Sequence, residues 1–345
     1  MKPKIISIFN HKGGVAKTTS LYHISWKLTE LGKKVLMVDA DSQCNLSQIT
    51  LGQGGFEEHI KNNPKQNIKD ALEPAFMSKT SLIQPVNCPI VRGNENLLLL
   101  PGSMDLESYS VELGFSFLNA FSTSSNLPGS FYYLIKKTAE QYNCDYVLID
   151  MNPSLGAINQ DLLLSSHYFL IPTAPDFLSK MAVKSLSTVI PKWENWAQTA
   201  RKTFQHAVYP LPDSTPHFLG YTVNDYNIRG GAPTKAAQKD IAGIEEEVNK
   251  VLVPALRKHG MIKGNQDKFK LGTVQDFQST LKGYQTIGLP VWKLERTDFD
   301  NVKGAAFAST KNIMDRVEES FVEIVNNILS AIEIESVNTV PNEQN

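Results

Sequence analysis

The sequence predicts an α/β fold, a doubly wound, mostly parallel sheet with helices on both faces. Three observations support this prediction. A short β-rich run at residues 5–9 leads into a glycine-rich loop and then into a helical pattern of apolar residues. Further apolar runs alternate with helical segments along the chain, and two of these runs end in aspartates. Because ligands bind at the carboxyl ends of parallel strands, the loop and the aspartates are expected to meet at one edge of the sheet.

The composition excludes several classes of protein. With 345 residues, 41% of them apolar, the chain is long enough to bury the core of one large domain. Its net charge is −1, so any nucleic-acid contact must come from a local basic patch. The three cysteines, Cys44, Cys88 and Cys144, show no Cys-x-x-Cys spacing, which argues against a zinc site or a disulfide framework. The early first strand and the short apolar runs indicate a cytoplasmic protein without a signal peptide or membrane helix.

The loop at residues 11–20, H-K-G-G-V-A-K-T-T-S, has the composition of a phosphate-binding loop. Gly13 and Gly14 allow backbone conformations closed to other residues, so successive N–H groups and the start of the next helix can surround a polyphosphate. Lys17 is expected to reach the β- and γ-phosphate oxygens, and the Thr18 hydroxyl to ligate Mg²⁺. The alternative is a plain turn between a strand and a helix.

The loop departs from the strict pattern G-x-x-x-x-G-K-[ST] at two positions. His11 stands where the first glycine belongs, and Ala16 where the last one belongs. Alanine adopts a left-handed conformation only at a cost in free energy. We therefore expect nucleotide binding to be retained while the loop geometry, and with it the turnover, is altered.

Two further segments place carboxylates at the ends of apolar strands. The run K-K-V-L-M-V-D-A-D-S-Q at residues 33–43 carries Asp39 and Asp41, and the run at residues 145–150 ends in Asp150. At the carboxyl edge of a parallel sheet these carboxylates would face the phosphate loop, where Asp150 could hold Mg²⁺ opposite Thr18. The alternative for each aspartate is a residue that ends a strand or caps a helix.

The pattern K-G-G-x-x-K-T-T at residues 12–19 resembles the deviant Walker A motif of the ParA/MinD family of P-loop ATPases. The segments V-D-A-D-S-Q and N-L-L-L-L-P-G-S-M-D-L, and those at residues 145–156 and 168–175, are similar to further strand regions of this family. The resemblance implies a P-loop NTPase fold, ATP and Mg²⁺ as cofactors, and an ATP-sandwich homodimer. In that dimer Lys12 would cross to the nucleotide of the partner subunit.

The same resemblance implies roles for individual residues. The catalytic residues would be Lys12, Lys17 and Asp41, with Asp41 orienting the attacking water and Asp39 a structural or magnesium-shell neighbour. Residues 292–298 fall where the family has a strand that precedes a contact with the base. Asn224 matches the asparagine that pairs with adenine in this family. The predicted nucleotide contacts are Lys12, Gly13, Gly14, Val15, Ala16, Lys17, Thr18, Thr19 and Asn224, and the predicted metal ligands are Thr18, Asp41 and Asp150.

The chain is expected to form one P-loop ATPase domain over residues 1–332, followed by a polar tail at 333–345. Insertions are expected near residues 52–96 and 194–217, where the apolar pattern weakens. Residues 114–130, rich in Phe, Ser and Asn, are expected to form a loop. Helical patterns occur near residues 68–77, 131–141, 178–193, 238–256 and 311–332.

The resemblance indicates a ParA-type ATPase that partitions or positions DNA or another cargo. It would be a weak, Mg-dependent ATP hydrolase, stimulated by dimerisation and by a partner protein. In partition ATPases basic C-terminal residues bind DNA without sequence preference, and here residues 250–316 carry twelve Lys or Arg against six Asp or Glu. A protein of this kind would associate with the nucleoid. The alternative for this basic third is a solvated charged face.

A second hypothesis is a nucleotide-switched dimer that acts as a docking platform for an effector, without DNA binding, with the 194–217 insertion as the partner surface. Other members of the superfamily are disfavoured. Residues 330–345 are acidic and polar, unlike a basic membrane-binding helix, so no membrane partner is expected. Cys88 and Cys144 lack suitable partners for a metal cluster. A metabolic synthetase would need a small-molecule pocket for which no specific residues stand out.

Overall fold

The computed structural model describes residues 2–118, 124–226, 228–229, 232–278, 280–299 and 304–337. Its centre is a sheet of eight strands, with a separate two-stranded hairpin beside it. The sheet contains β1 (Lys4–Ile8), β2 (Val35–Ala40), β3 (Ile90–Val91), β4 (Asn94–Leu100), β5 (Tyr146–Met151), β6 (Tyr168–Thr173), β7 (His217–Tyr226) and β10 (Lys270–Gln275), and the hairpin contains β8 (Ile228–Arg229) and β9 (Ala232–Pro233).

The strand order is β10-β7-β6-β1-β5-β2-β4-β3, and every neighbouring pair is parallel except β3 with β4. The strand order therefore reverses at β1, which has β6 on one side and β5 on the other. In a doubly wound sheet this switch point opens a crevice at the carboxyl ends of the strands. The predicted fold class is confirmed.

Helices cover both faces of the sheet and enclose two apolar cores. Ile5 and Phe9 point into one core, and Ile6 and Ile8 point into the other, as the two-residue period of a strand requires. The helices are α1 (Lys17–Glu30), α2 (Asn45–Leu51), α3 (Gln53–Asn62), α4 (Ile68–Phe76), α5 (Ser110–Leu118), α6 (Ser130–Gln141), α7 (Ala157–Leu164), α8 (Phe177–Thr203), α9 (Lys235–Glu247), α10 (Val253–Lys258), α11 (Thr280–Ile287) and α12 (Gly304–Val337). A single π-helical turn, Val248–Leu252, joins α9 to α10.

The outer strand next to β7 comes from a segment that sequence reasoning did not select. The strand expected at residues 292–298 is wrong, because this segment forms two 3₁₀ turns, Val291–Lys293 and Arg296–Asp298. Its Trp292 packs inward instead, and the indole Nε1 donates to Glu30 of α1 at 3.0 Å. Strand β10 takes the edge position and is covered by α12. Gly272 permits this cover, since a Cβ there would lie 2.6 Å from the side chain of Ile324.

The insertion expected near residues 194–217 is, in its first part, a continuation of α8, which runs to Thr203 through Pro191. Glu194 is fully buried and accepts two hydrogen bonds from the Arg201 guanidinium, at 2.8 and 3.2 Å, and one from the Thr215 hydroxyl at 2.9 Å. The polar composition of this stretch thus reflects a buried ion pair that holds the returning segment against α8. The expected end of the helix at residue 193 is corrected accordingly.

Three smaller expectations also change. The 52–96 segment contains α3 as well as the expected helix α4, and residues 114–118 belong to α5 rather than to a loop. Residues 119–123 of the expected loop lie outside the described residues. Helix α12 continues to Val337, so the predicted tail begins as helix, and residues 338–345 lie outside the described residues. No helix in the described part of the chain has the length and apolar content needed to span a bilayer.

Candidate functional site

The phosphate loop joins β1 to α1 at the carboxyl edge of the sheet. Gly14 has φ +67°, and Ala16 has φ 59° and ψ 39°, so both residues are left-handed. A Cβ added to Gly13 or Gly14 would meet no atom within 4 Å, which leaves the loop surface open to a ligand. For alanine this conformation costs about 1 to 2 kcal/mol relative to a helical one. The loop therefore keeps its left-handed turn at Ala16, under strain.

Lys17 and Thr18 open α1 beside Asp150, the penultimate residue of β5. The Thr18 hydroxyl donates to Asp150 Oδ2 at 2.6 Å, and the Lys17 ammonium donates to the carbonyl of Lys12 at 3.2 Å. Burial lowers the pKa of Lys17, and the carboxylates of Asp150 and Asp41 oppose that shift. Thr18 and Asp150, the two residues expected on opposite sides of Mg²⁺, thus lie in direct contact, and their role as metal ligands stays a prediction.

Asp150 stands between two strands of the sheet, opposite Ile8 of β1 and Asp39 of β2. It is 1% exposed, and its Oδ1 has no hydrogen-bond partner among the described residues. Burial raises its pKa to about 8, with the carboxylate of Asp39 the next largest cause. A buried oxygen without a partner beside a threonine hydroxyl is the hard donor set that Mg²⁺ prefers.

The two aspartates after β2 have different surroundings. Asp39 is fully buried, and its Oδ2 accepts from the amide and the hydroxyl of Ser47 at 2.8 and 2.6 Å. Burial raises its pKa to about 6. Asp41 lines the open cavity beside the phosphate loop and accepts from the Gln43 amide at 2.9 Å. Asp39 is therefore a structural residue that holds α2 to β2, and Asp41 is the carboxylate available to a ligand.

Lys12 points away from its own phosphate loop. Its ammonium forms an ion pair with Asp176 and donates to Ser179 Oγ at 3.1 Å. Asp176 is the N-cap of α8, because its side chain also accepts from the Ser179 amide at 2.8 Å. Burial alone would raise the pKa of Asp176, but the hydrogen bonds from Lys12 and Ser179 lower it below its usual range.

Two buried asparagines support the loop from behind. Asn10 donates to the carbonyl of Pro172 in β6 at 2.8 Å and accepts from the Lys12 amide at 3.0 Å. Asn224, which is 2% exposed, donates to the carbonyl of Val15 at 3.0 Å and to Ser20 Oγ at 3.1 Å. Its amide nitrogen is thus engaged with the loop itself, and the pairing of Asn224 with adenine stays a prediction. Sequence reasoning missed Asn10, although an asparagine directly after a buried strand was the available signal.

A cavity of about 840 Å³ opens in front of the loop. Residues 13–19, Asp41 and residues at the start of α2 form one part of its wall. The opposite wall is α11, whose Tyr284, Gln285 and Thr286 were not predicted. Tyr284 is fully buried, and its hydroxyl lies 2.9 Å from Thr19 Oγ1. Nothing in the local sequence around Tyr284 indicates this contact, because it joins residues far apart in the chain.

The residues present fit both predicted cofactors. The open glycine backbone and the Lys17 ammonium suit a polyphosphate, since amide N–H groups at a helix start attract anions. Thr18 and the unpartnered oxygen of Asp150 suit Mg²⁺. The cavity brings together Asp41 and residues 13–19. Three predicted residues lie outside its wall: Lys12, Asn224 and Asp150, the last behind Thr18.

Comparison with known proteins identifies the family of the chain. Residues 3–203, more than half of the chain, match the AAA domain family AAA_31. Among curated relatives, an uncharacterised protein of Methanocaldococcus jannaschii is 32% identical over 180 residues, which cover 52% of this chain and 62% of that protein. The sporulation initiation inhibitor protein Soj of Bacillus subtilis is 28% identical, covering 54% of this chain and 64% of Soj.

A ParA family protein of Chlamydia trachomatis matches over a longer stretch, 26% identical across 70% of this chain and 80% of that protein. For six other curated relatives, the matched part of this chain covers between 42% and 64% of the relative's length.

Solved structures resemble the fold over nearly the whole chain. A protein from Corynebacterium diphtheriae has a TM-score of 0.66 at 20% identity, covering 96% of this chain and 99% of that one. A Cyanothece McdA variant in complex with ATP has a TM-score of 0.61 at 15% identity, covering 96% and 97%. At these identities the likeness extends to the fold.

Proposed function

Because the chain belongs to the AAA domain family AAA_31 and is a ParA-family P-loop ATPase, we propose that it is a nucleotide-timed dimeric switch that partitions or positions DNA or another cargo. Two copies sandwich ATP, the dimer binds DNA without sequence preference, and hydrolysis releases it. A partner protein stimulates that hydrolysis. The protein acts in the cytoplasm, on the nucleoid.

The position of Lys12 carries this proposal. A lysine in a phosphate loop would ordinarily serve its own loop, but this one reaches the first turn of α8, where Asp176 is 45% exposed. Large apolar side chains beside this ion pair are exposed: Phe177 by 68%, Leu178 by 63% and Met181 by 46%. An apolar surface next to a lysine that turns away from its own loop supports association with a second copy, in which Lys12 exchanges Asp176 for the partner's phosphates.

The chemistry follows from charge and position. Lys17 and the loop amides hold the β- and γ-phosphates, and Asp41 is the carboxylate that would orient the attacking water. Thr18, Asp41 and Asp150 would hold the metal, directly or through water. Mg²⁺, when bound there, supplies neutralisation of the phosphate charge. Lys12 from the partner subunit would add a further positive charge in the transition state, so turnover requires the dimer.

The basic C-terminal third supports DNA binding in part. Five basic side chains of this region are exposed: Lys258 on α10, Lys268 just before β10, Lys270 on β10, Lys282 on α11 and Arg316 on α12. Phosphate contacts from such side chains give salt-dependent binding without base readout. They are the residues to which we assign the DNA contact.

One observation favours the second hypothesis, a docking platform that does not bind DNA. Lys250, Lys293 and Lys311 are each paired with a carboxylate, at 2.9, 3.4 and 3.0 Å respectively. Neutralised cations contribute less to phosphate binding. Under the docking-platform hypothesis, the partner surface is the 194–217 segment, which the Glu194–Arg201 ion pair holds against α8 and in which Val208 is 53% exposed.

The proposal is tested by measuring the molecular mass of the protein in solution with Mg-ATP at low salt. The measurement is made with and without random-sequence duplex DNA. We expect wild type and the control Lys61→Ala, an exposed lysine of α3, to dimerise with ATP and to co-elute with DNA. Lys12→Ala should stay monomeric. An ATP dimer that ignores DNA selects the docking platform, and the absence of any ATP-dependent dimer overturns both hypotheses.

A further inference from the structure

One side of α5 is apolar and exposed. Val111, Phe115 and Leu118 follow a spacing of four and then three residues, so they lie on one side of the helix. Their exposed fractions are 64%, 61% and 80%, and Met104, just before this helix, is 66% exposed. Single exposed apolar side chains are ordinary, but a group of four within 15 residues marks an interaction surface. We call these four residues the α5 face.

The exposed charges on the chain segment that carries the α5 face are acidic, and the nearby cation Lys69 of α4, 5.6 Å from the Tyr109 ring, is already paired with Asp70 at 3.8 Å. Asp105, Glu107 and Glu112 are exposed beside it. The sequence contains no Lys or Arg from Gly93 to Ile135. A partner that covers this surface must therefore present apolar side chains flanked by positive charge, since like charges across an interface oppose association.

The α5 face is linked to the candidate site through the segment that follows Asp150. Asn152, two residues on, donates its amide to Glu107 Oε2 at 3.3 Å. A Cβ at Gly114 of α5 would lie 3.8 Å from the Cβ of Ala157, at the start of α7. Asn159 in turn donates to the carbonyl of Asn152 at 2.8 Å. Displacement of α5 by a bound partner would thus be passed to residues 152–157.

We infer that the α5 face is the docking site for a basic amphipathic helix of a partner protein, which acts on the segment after Asp150 through the Glu107–Asn152 hydrogen bond. The inference rests on the proposed function, because it gives a place and a chemistry to the partner that stimulates hydrolysis. A second copy of this chain fits less well. Self-association through this face would bring Asp105, Glu107 and Glu112 against the same acids.

The test uses synthetic helical peptides of about 18 residues, long enough to form several turns. One carries leucines at helical spacing with lysines elsewhere, a second replaces the lysines by glutamates, and a third has the lysine peptide's composition without the spacing. Binding to the full chain is followed by fluorescence anisotropy with and without Mg-ATP, and ATP hydrolysis is followed in parallel. We expect the lysine peptide alone to bind, more weakly as salt increases, and to raise the hydrolysis rate.

The variants separate the apolar and the charged parts of the surface. Phe115→Ser and Glu112→Lys should each weaken peptide binding about tenfold, the effect of losing a central contact. Ile90→Ser, which alters another exposed apolar residue on β3, should bind as wild type does. Basal hydrolysis and the thermal unfolding midpoint should be unchanged in all three, because none of these side chains reaches the cavity.

Three results would overturn the inference: equal peptide affinity of Phe115→Ser and Ile90→Ser, equal binding of the glutamate peptide, or no binding by any peptide. If Phe115→Ser instead abolishes the ATP-dependent dimer, the face belongs to a second copy. The proposed function is tested separately, by measuring ATP-dependent dimerisation and the basal rate of ATP hydrolysis without peptide. A chain that fails those measurements but binds the lysine peptide through the α5 face refutes the proposed function and leaves the docking surface standing.

Discussion

The ammonium of Lys12 pairs with Asp176 of its own chain, so the lysine that the proposed dimer needs in trans is held in cis. Dimerisation must break this ion pair before Lys12 can reach a partner. Breaking this contact therefore opposes dimerisation by the free energy of the ion pair, which for a partly exposed pair is about 0.2 to 1 kcal/mol.

Replacing Asp176 by asparagine is expected to strengthen the ATP-dependent dimer. Asparagine caps a helix as well as aspartate does, so the variant keeps the cap of α8 and loses only the charge. Each dimer breaks two such pairs, so we expect the dimer dissociation constant to fall about two- to thirtyfold, measured by analytical ultracentrifugation with Mg-ATP. Asp176→Ala serves as the control that also removes the cap. An unchanged or weaker dimer in Asp176→Asn would contradict a restraining role.

Ala16→Gly is expected to stabilise the protein. The left-handed conformation at φ 59° is costly for alanine and free for glycine, although glycine adds entropy to the unfolded chain. The net gain should be about 0.5 to 1 kcal/mol in the free energy of unfolding by urea. Ala71→Gly in α4, a helical position, should lose a similar amount. Equal destabilisation by both substitutions would show that Ala16 is unstrained.

His23 should make folding stability depend on pH. It is fully buried among aromatic rings, with Nδ1 donating to the Thr19 carbonyl at 2.8 Å and Nε2 accepting from the Val291 amide at 3.2 Å. Burial lowers its pKa to about 3, so below pH 6.5 the unfolded chain takes up a proton that the folded chain does not. Its contribution to stability is present at neutral pH and is lost as the pH falls from 6.5 towards 3.

The variant His23→Phe keeps an aromatic ring and removes the titration. At pH 7.5 it should be less stable than wild type by about 2 kcal/mol, because the Val291 amide loses its acceptor. By pH 5 this difference should shrink by about 2 kcal/mol, since only wild type is destabilised through His23. Comparing the two proteins cancels the other titrating groups, among them His217, whose pKa burial lowers to about 4. A difference that stays constant with pH would disprove the prediction.

Binding of Mg-ATP near pH 7 should release a proton from Asp150. Burial raises the pKa of this carboxyl to about 8, so it is mostly protonated at pH 7 without metal, and a metal ligand must be deprotonated. Calorimetric titrations in two buffers with different ionisation enthalpies should report close to one proton released. Asp150→Asn should release fewer. Identical heats in both buffers for wild type would place the metal elsewhere.

The parts of the site that the sequence predicted are those with a strong local pattern, a glycine-rich loop or a carboxylate at the end of an apolar strand. Residues 12–19 form one loop, and Asp41 and Asp150 end strands with strong apolar patterns, so strand order alone places them together. The predictions of the family and the fold class, which rest on the same local patterns, were confirmed. The partner of Lys12 was not predicted, because an aspartate before a helix reads only as a cap.

The errors also have physical causes. Strand β10 was missed because Gly272 and three polar residues, Lys270, Thr273 and Gln275, weaken its apolar pattern. Its conformation is decided by tertiary packing under α12. The end of α8 was predicted at residue 193 rather than at Thr203 because the polar composition of the following residues is typical of a loop. In the structure two of these polar residues, Glu194 and Arg201, form a buried ion pair. The contact of Tyr284 with Thr19 was not predicted, because it joins two helices far apart in the chain and leaves no local signature.

The hydrogen bond between Thr19 and Tyr284 spans 265 residues of chain. At ribosomal rates of about 5 to 20 residues per second, roughly 13 to 50 s separate the synthesis of these two residues. During that interval the phosphate loop leaves the ribosome before α11, which closes its cavity, has been made. Strand β1 likewise stays unpaired until its neighbours β5 and β6 have been made. A nascent chain of this protein therefore offers unpaired strand edges for many seconds.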